Sequence, residues 1–410
     1  MSLNSALIPS LVPFTESLLL ARPLRWGMVG GGKDSRIGYS HRDAAKRDGL
    51  FDLQAGAFDI DPARGLAFGQ SLGLSPDRCY SDYRSMLAAE ALRADGIEVL
   101  SIATPNNSHY EICHAALSAG LHVVCEKPLA HDLAQALELA ALAKAKNRIL
   151  AVMYGYTGYE MVQQAKSMVQ NGVLGAVRIV QMQFAHGYHA TEVEANDPGT
   201  KWRVTPAVSG PTYVIGDIGT HCFQMGAFMS GLEVDSLCCM RSSFIASRAP
   251  LEDNAQVMLR YKSADASKTP AIGTLWASAV NIGSAHGFKV RIVGETGSIE
   301  WWDEQPNQLQ VSLLGQPAML YERGHGNLDP SARFERVGGG HPAGYFDSWA
   351  NLYRRFAWVM GGGQAGEDAA AAAEREAAIY YPKAEDGVQG VRFVQRCAES
   401  ADAGSQWVAF

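Results

Sequence analysis

The 410-residue sequence predicts an α/β protein in two parts. A parallel sheet wrapped by helices comes first, and an α/β unit on a large, mostly antiparallel open sheet follows. Three observations predict this. Short apolar runs alternate with helix signals from residue 24 to about residue 150, the pattern of strands buried on both faces. Beyond about residue 155 the runs lengthen and several alternate in polarity, as strands with one covered face do. A glycine cluster, "GMVGGGKDSRIG", directly follows the first apolar run, the place where a nucleotide-binding turn between strand and helix needs it.

The first strand is "LRWGMVG", and a helix follows from about Tyr39 to Arg47. "FDLQAGAFD" is the second strand. "DPARGLAFGQSLG" is a helix with Asp61 as N-cap and Pro62 in its first turn. "GIEVLSIAT" and "LHVVCE" are strands flanking the helix "NNSHYEICHAALSAG". "HDLAQALELAALAKAKN" is a helix capped by Asp132, with Gln135 placed as the far partner of a capping box. "RILAVMYGY" closes the series, and "YEMVQQAKSMVQNG" is the helix that opens the second part. Strand-like runs then extend from "AVRIVQMQFAHGY" to "QLQVSLL", and "YFDSWANLYRRFAWVMG" is helical. The Ala/Glu-rich run at 367–378 fits either a helix or a loop. The expected division is an arm over 1–23, a dinucleotide-binding domain over 24–152 and a substrate and assembly domain over 153–410.

Bulk properties exclude several functions. The formal charge is −7, from 35 basic and 42 acidic residues, and nucleic-acid binding needs a clustered basic face instead. No apolar run reaches the ~20 residues of a membrane helix. The start lacks a basic leader and is interrupted by Pro9, Pro13 and Glu16, so it is expected to be a surface arm rather than a targeting signal. Seven cysteines, an odd number with no C-x-x-C, imply free thiols in a reducing cytoplasm. No ligand set for a metal is visible.

Gly30 and Gly32 fit the first two positions of a dinucleotide turn. The third is displaced to Gly38 by a three-residue insertion. Such glycines let a diphosphate approach the backbone at a helix N-terminus. Asp59, at the end of the second strand, can accept both hydroxyls of an adenosine ribose and would repel a 2′-phosphate. Ile60 follows where a phosphate reader would often carry Arg or Lys, so NAD is expected over NADP, with NADP possible. Thr104, Pro105 and Asn106 end the third strand of the series and face the nicotinamide end. His109 just beyond either joins them or packs its own helix. Lys127, in "CEKP", ends another strand of the same sheet and projects into the same crevice, where it can stabilise a developing alkoxide. Asp217 and His221 stand four apart in "GDIGTH". On a helix they share a face, and histidine suits proton removal near neutral pH.

Together "VGGG…IG…H", "TPN..H", "EKPLA", "GDIGTH" and the tail from "PKAEDGVQG" resemble the Gfo/Idh/MocA oxidoreductase family, from about Leu24 to the end. The resemblance implies a Rossmann domain followed by an α/β domain whose open sheet mediates a homodimer or homotetramer. It implies oxidation of a hydroxyl of a sugar, anhydrosugar or cyclitol. The family's catalytic lysine, aspartate and histidine map onto Lys127, Asp217 and His221. Ile37, Glu126 and Lys127 join the expected cofactor contacts. Tyr154, Tyr156, His186, Tyr188, Trp202, Arg203 and His341 are candidate substrate contacts, because rings stack on a sugar's apolar face and polar tips read its hydroxyls. Two alternatives stay open: an NAD-dependent glycosidase with transient oxidation, and a cofactor-binding regulator without turnover.

Overall fold

The computed structural model describes residues 20, 22–263, 269–325, 328–329, 336, 338–361 and 380–410. The expected arm at 1–23 and the Ala/Glu-rich run lie almost wholly outside the described residues. The first sheet has five parallel strands in the order β2-β1-β3-β4-β5. They are β1 (Leu24–Gly30), β2 (Phe51–Ala57), β3 (Val99–Ala103), β4 (His122–Glu126) and β5 (Leu150–Met153). The strand order reverses between β1 and β3, which opens a crevice at their carboxyl ends.

Local chemistry sets the helices that face this crevice. The first helix runs Arg36–Arg47 and starts three residues before the expected Tyr39, because the Ser35 hydroxyl caps it by accepting from Gly38 N at 3.0 Å. Asp61 caps Pro62–Ser71 and Asp132 caps Leu133–Ala145 through their carboxylates, as expected. Gln135 supplies the backbone N–H that Asp132 accepts.

The second sheet has nine strands: β6 (Val177–Ala185), β7 (Val234–Ser242), β8 (Asn254–Tyr261), β9 (Ile272–Ser278), β10 (Phe288–Gly294), β11 (Gly297–Trp302), β12 (Gln308–Leu313), β13 (Met319–Glu322) and β14 (Val408–Ala409). Their order is β13-β12-β11-β10-β6-β9-β8-β7-β14. All neighbours are antiparallel except β6 and β9, so the sheet is mixed. The helices Glu160–Gln170 and Thr220–Ser230 cover one face, burying Met161, Val162, Cys222, Phe223 and Met225 against it.

Two C-terminal helices join the parts. Tyr345–Gly361 returns to the first sheet, where Trp349, Tyr353 and Phe356 pack with Leu24, Trp26 and Phe51. Ala384–Asp402 touches both cores: Val388 and Val391 meet Leu129 and Val152, while Phe393 stacks on Phe223 at 4.6 Å. Gly387 and Gly390 permit that approach. A Cβ on Gly387 would lie 2.7 Å from Val152, and one on Gly390 would lie 2.0 Å from the Tyr154 hydroxyl. All seven cysteines are free.

Candidate active site

The crevice begins at the glycine turn. Gly30 and Gly31 have φ of 74° and 67°, a conformation that favours glycine. A Cβ on Gly30 would lie 2.5 Å from the Ala103 carbonyl, one on Gly32 2.8 Å from Phe58 O, and one on Gly38 2.3 Å from Gly31 Cα. Side chains at these points would fill the cradle, so the turn has the shape a dinucleotide needs. Ile37 is half-buried in the first turn of the following helix. Asp59 stands beyond β2 with one oxygen on Asp61 N at 2.9 Å. Its other oxygen lies 3.2 Å from the exposed Arg64, which also reaches Asp34 at 3.5 Å.

The turns after β3 and β4 are stapled together. His109 is fully buried, with Nδ1 2.7 Å from Pro128 O and Nε2 3.0 Å from Thr104 O. Each ring nitrogen faces a protein carbonyl, and the neutral imidazole has one N–H to donate between them. His109 therefore fixes the two turns to each other rather than facing the crevice, and burial pushes its pKa down. Thr104 accepts from the Ser108 hydroxyl at 2.7 Å. Pro105 precedes the short turn Asn106–Ser108, and Asn106 donates to Ser209 O at 3.2 Å. Glu126 is likewise engaged: one oxygen lies 3.1 Å from His41 and the other accepts from Lys127 N at 3.2 Å. His41 in turn meets the Tyr353 hydroxyl at 2.6 Å, and that hydroxyl meets Ser101 at 2.8 Å. This buried polar chain anchors the turn that carries Lys127.

Lys127 reaches across to the second part of the molecule. Its Nζ donates to the Asp217 carbonyl at 2.6 Å and to Asp217 Oδ1 at 3.0 Å. Arg203 Nε donates to Asp217 Oδ2 at 3.1 Å, and its guanidinium lies 4.5 Å over the ring of Trp202. Burial alone would raise the Asp217 pKa. The charges of Lys127 and Arg203 outweigh burial and hold the carboxyl well below the usual range.

His221 lies at the start of the helix Thr220–Ser230, 9% exposed and ringed by Tyr154, Tyr156 and Phe184 at centroid distances of 5.7, 5.0 and 6.3 Å. No side chain among the described residues hydrogen-bonds its ring nitrogens. Burial, and then the nearby Lys127 charge, push its pKa well below the ordinary histidine value, against the pull of Asp217. The imidazole is thus neutral and able to accept a proton. Asp217 and His221 are near enough for each charge to act on the other, but no hydrogen bond joins them among the described residues. Residues Ile215–Gly219 make a π-helical turn, and His221 lies in the α-helix that follows it. Asp217 holds Lys127 instead of the imidazole.

The other expected contacts divide. Tyr156 faces the site, its hydroxyl 3.3 Å from His286 Nε2. His186 is buried at the end of β6 near Asp217, and burial lowers its pKa to about 4. Tyr188 lies against the His186 ring at 4.8 Å. Tyr154, in contrast, is 1% exposed and its hydroxyl is 2.9 Å from Thr220 Oγ1. It backs His221 from inside the core and presents no polar atom to a substrate. His341 is exposed, and its carbonyl accepts from Arg323.

Sequence reasoning missed three supports. His286, in the glycine-containing loop between β9 and β10, pairs through Nδ1 with the Asp303 carboxylate. A histidine in a loop at strand ends was a usable signal. Arg248 is fully buried and binds Glu194, Asp253 and the carbonyls of His189 and Thr191. Glu252 is also fully buried, and one oxygen accepts from Tyr213 N at 2.9 Å and Ile215 N at 3.0 Å, at the start of the π-helical turn. Its other oxygen has no partner among the described residues. Nothing in "SRAPLEDN" marks either role.

The chain matches two family models: "Oxidoreductase family, NAD-binding Rossmann fold" over residues 24–154, and "Oxidoreductase family, C-terminal alpha/beta domain" over residues 166–410. It is 45% identical over 398 residues to the uncharacterized oxidoreductase YfiI of Bacillus subtilis, covering 96% of this chain and 98% of that protein. It also resembles an inositol dehydrogenase homolog of Azotobacter vinelandii at 50% identity. The structure of that protein complexed with NAD+ superposes with a TM-score of 0.90, and the one with NADH and myo-inositol with 0.88. Each covers 95% of this chain and 98% of the other.

Glu252 supplies a prediction. Burial pushes its pKa up to about 7, only partly opposed by the two amides. A raised carboxyl pKa favours the neutral native form, so its contribution to stability is present in acid and is lost as pH rises from about 4.5 through about 7. We expect the parent to lose stability over that interval and Glu252→Gln to lose less, by on the order of 1–3 kcal/mol. Urea unfolding at pH 5 and pH 8 checks this; equal pH dependence in both proteins would contradict it.

Proposed function

This chain belongs to the Gfo/Idh/MocA oxidoreductase family, and we propose that it is an NAD-dependent dehydrogenase of a cyclitol or sugar hydroxyl, with an inositol as the first candidate. One observation carries the reading. Lys127 spends two of its three N–H donors on Asp217 and keeps one, while its charge acts on the neutral ring of nearby His221, which has no hydrogen-bond partner among the described residues. The pair stands at the carboxyl edge of the parallel sheet, next to the glycine cradle.

Gly30, Gly32, Ile37 and Gly38 would hold the diphosphate of NAD, Asp59 the adenosine ribose, and Thr104, Pro105 and Asn106 would border the nicotinamide. NAD, when bound, supplies the hydride acceptor. The chain's residues do the rest. Lys127 donates to the reacting oxygen and stabilises its developing charge. His221 removes the hydroxyl proton. Asp217, fixed by Arg203, aims Lys127. Tyr156, His186 and Trp202 wall the space around a ring of hydroxyls. Glu126 and His109 act behind this surface by fixing the Lys127 turn.

The test is a panel of cyclitols, pyranoses and anhydrosugars, myo-inositol included, assayed with NAD+ and NADP+. Net reduction of NAD+ in preference to NADP+ is expected. Lys127→Ala and His221→Ala each lower turnover by about 10²–10³-fold, and the double variant loses no more than about tenfold beyond either. Because the His221 pKa is depressed, the acid limb of kcat/KM lies below the ordinary histidine range, and His221→Ala removes it. Near-normal turnover in Lys127→Ala on a confirmed substrate would overturn the assignment.

The solvent side of the second sheet exposes Met240, Met258 and Ile272 on the adjacent strands β7, β8 and β9. We propose that this face is covered by a second copy of the chain in a homodimer or homotetramer, because exposed apolar side chains on adjacent strands favour an interface. Light scattering at micromolar protein checks it, and a strict monomer would refute it.

A further inference from the structure

Arg42 stands in the helix Arg36–Arg47, one turn beyond Gly38 and on the same face. It is 7% exposed. Its Nη1 donates to the Gly31 carbonyl and lies 3.9 Å from Met28 Sδ, while the guanidinium carbon sits 4.9 Å from the centre of the Phe68 ring. No carboxylate among the described residues pairs with it. Arginine is rarely buried without a counter-charge, because desolvating the cation is costly.

The geometry of the turn shows what that cation does. The Gly31 carbonyl and the Gly32 N–H belong to one planar trans peptide, so they point in opposite directions. Tying the carbonyl inward turns the N–H outward, away from the helix and into the crevice. Gly31 N is fixed on Ala103 O at 3.0 Å, and the Gly32 carbonyl accepts from Ser35 N at 3.0 Å. Gly32 N–H has no acceptor among the described residues. The three-residue insertion between Gly32 and Gly38 lengthens this turn, and a longer loop has more conformations to restrict. Arg42 provides the anchor.

We propose that Arg42 is a positioning residue for the diphosphate of the dinucleotide: it fixes the Gly31–Gly32 peptide with its N–H toward the phosphates and sets an uncompensated positive charge beneath them. This rests on the reading of the cradle as an NAD site.

The test is equilibrium binding of NAD+, ADP and adenosine to the parent protein, Arg42→Met and Arg42→Lys. Arg42→Met should weaken NAD+ and ADP by about 10- to 100-fold and adenosine by less than about twofold. Its ADP affinity should also depend less on salt. Arg42→Lys keeps the charge but loses the planar fork, and its ADP affinity should fall between the other two. Equal weakening of all three ligands, or no weakening of ADP, would overturn the proposal. Should Arg42→Met fail to show a cooperative thermal transition, Arg42→Lys decides, and parental ADP affinity in that variant would overturn it. A parent protein that binds none of the three ligands would overturn the NAD reading itself.

Discussion

Asp217 accepts Lys127 on one carboxylate oxygen and Arg203 on the other, and these three side chains come from three separate stretches of the chain. Lys127 belongs to the turn after β4, Asp217 to the π-helical turn, and Arg203 to the short turn Trp202–Val204. The ion pair can form only if the two sheets are docked at one distance. The helix Ala384–Asp402 sets that distance by packing on β5 through glycines and on the second core through Phe393. Without Asp217, the Lys127 ammonium would be a flexible, strongly hydrated charge in the crevice. With it, two of three donors are satisfied and the third has a direction, which is how preorganised electrostatics lower a barrier.

A second layer keeps this arrangement still. The buried run from Ser101 through Tyr353 and His41 to Glu126 holds the Lys127 turn from below. His109 ties that turn to Thr104, and Glu252 holds the amides that begin the Asp217 turn. None of these groups meets the crevice with a free polar atom. Their common role is to restrict the rotamers of the residues that do, and loss of such support loosens a site without removing any reacting group.

The sequence displayed the parts whose chemistry is local. The glycine turn, the Asp61 and Asp132 caps and the period-2 strands each depend on residues a few positions apart, so their spacing could be read directly. Lys127 and His221 were legible because the ends of parallel strands and a histidine one helical turn from an acid are recurrent sites. What could not be read is pairing across distance. Nothing near Glu126 announces His41, 85 positions away, and nothing near Asp217 announces Lys127, 90 positions away. The π-helical turn was hidden as well, because "GDIGTH" fits an α-helix equally well by composition. Tyr154 was misplaced for a related reason: a tyrosine following β5 reads as a crevice residue until Thr220, 66 positions on, takes its hydroxyl.

The most direct test of this account is the single-turnover rate of NAD+ reduction in Asp217→Asn, with the hydroxyl substrate that the parent oxidises and with cofactor affinity measured alongside. Asparagine keeps the shape of the side chain and removes the charge that fixes Lys127. The account predicts a chemical step slowed by about 10²-fold or more, with NAD+ affinity within about twofold of the parent. A chemical step that keeps the parent's rate would contradict it, since Lys127 would then need no carboxylate to aim it.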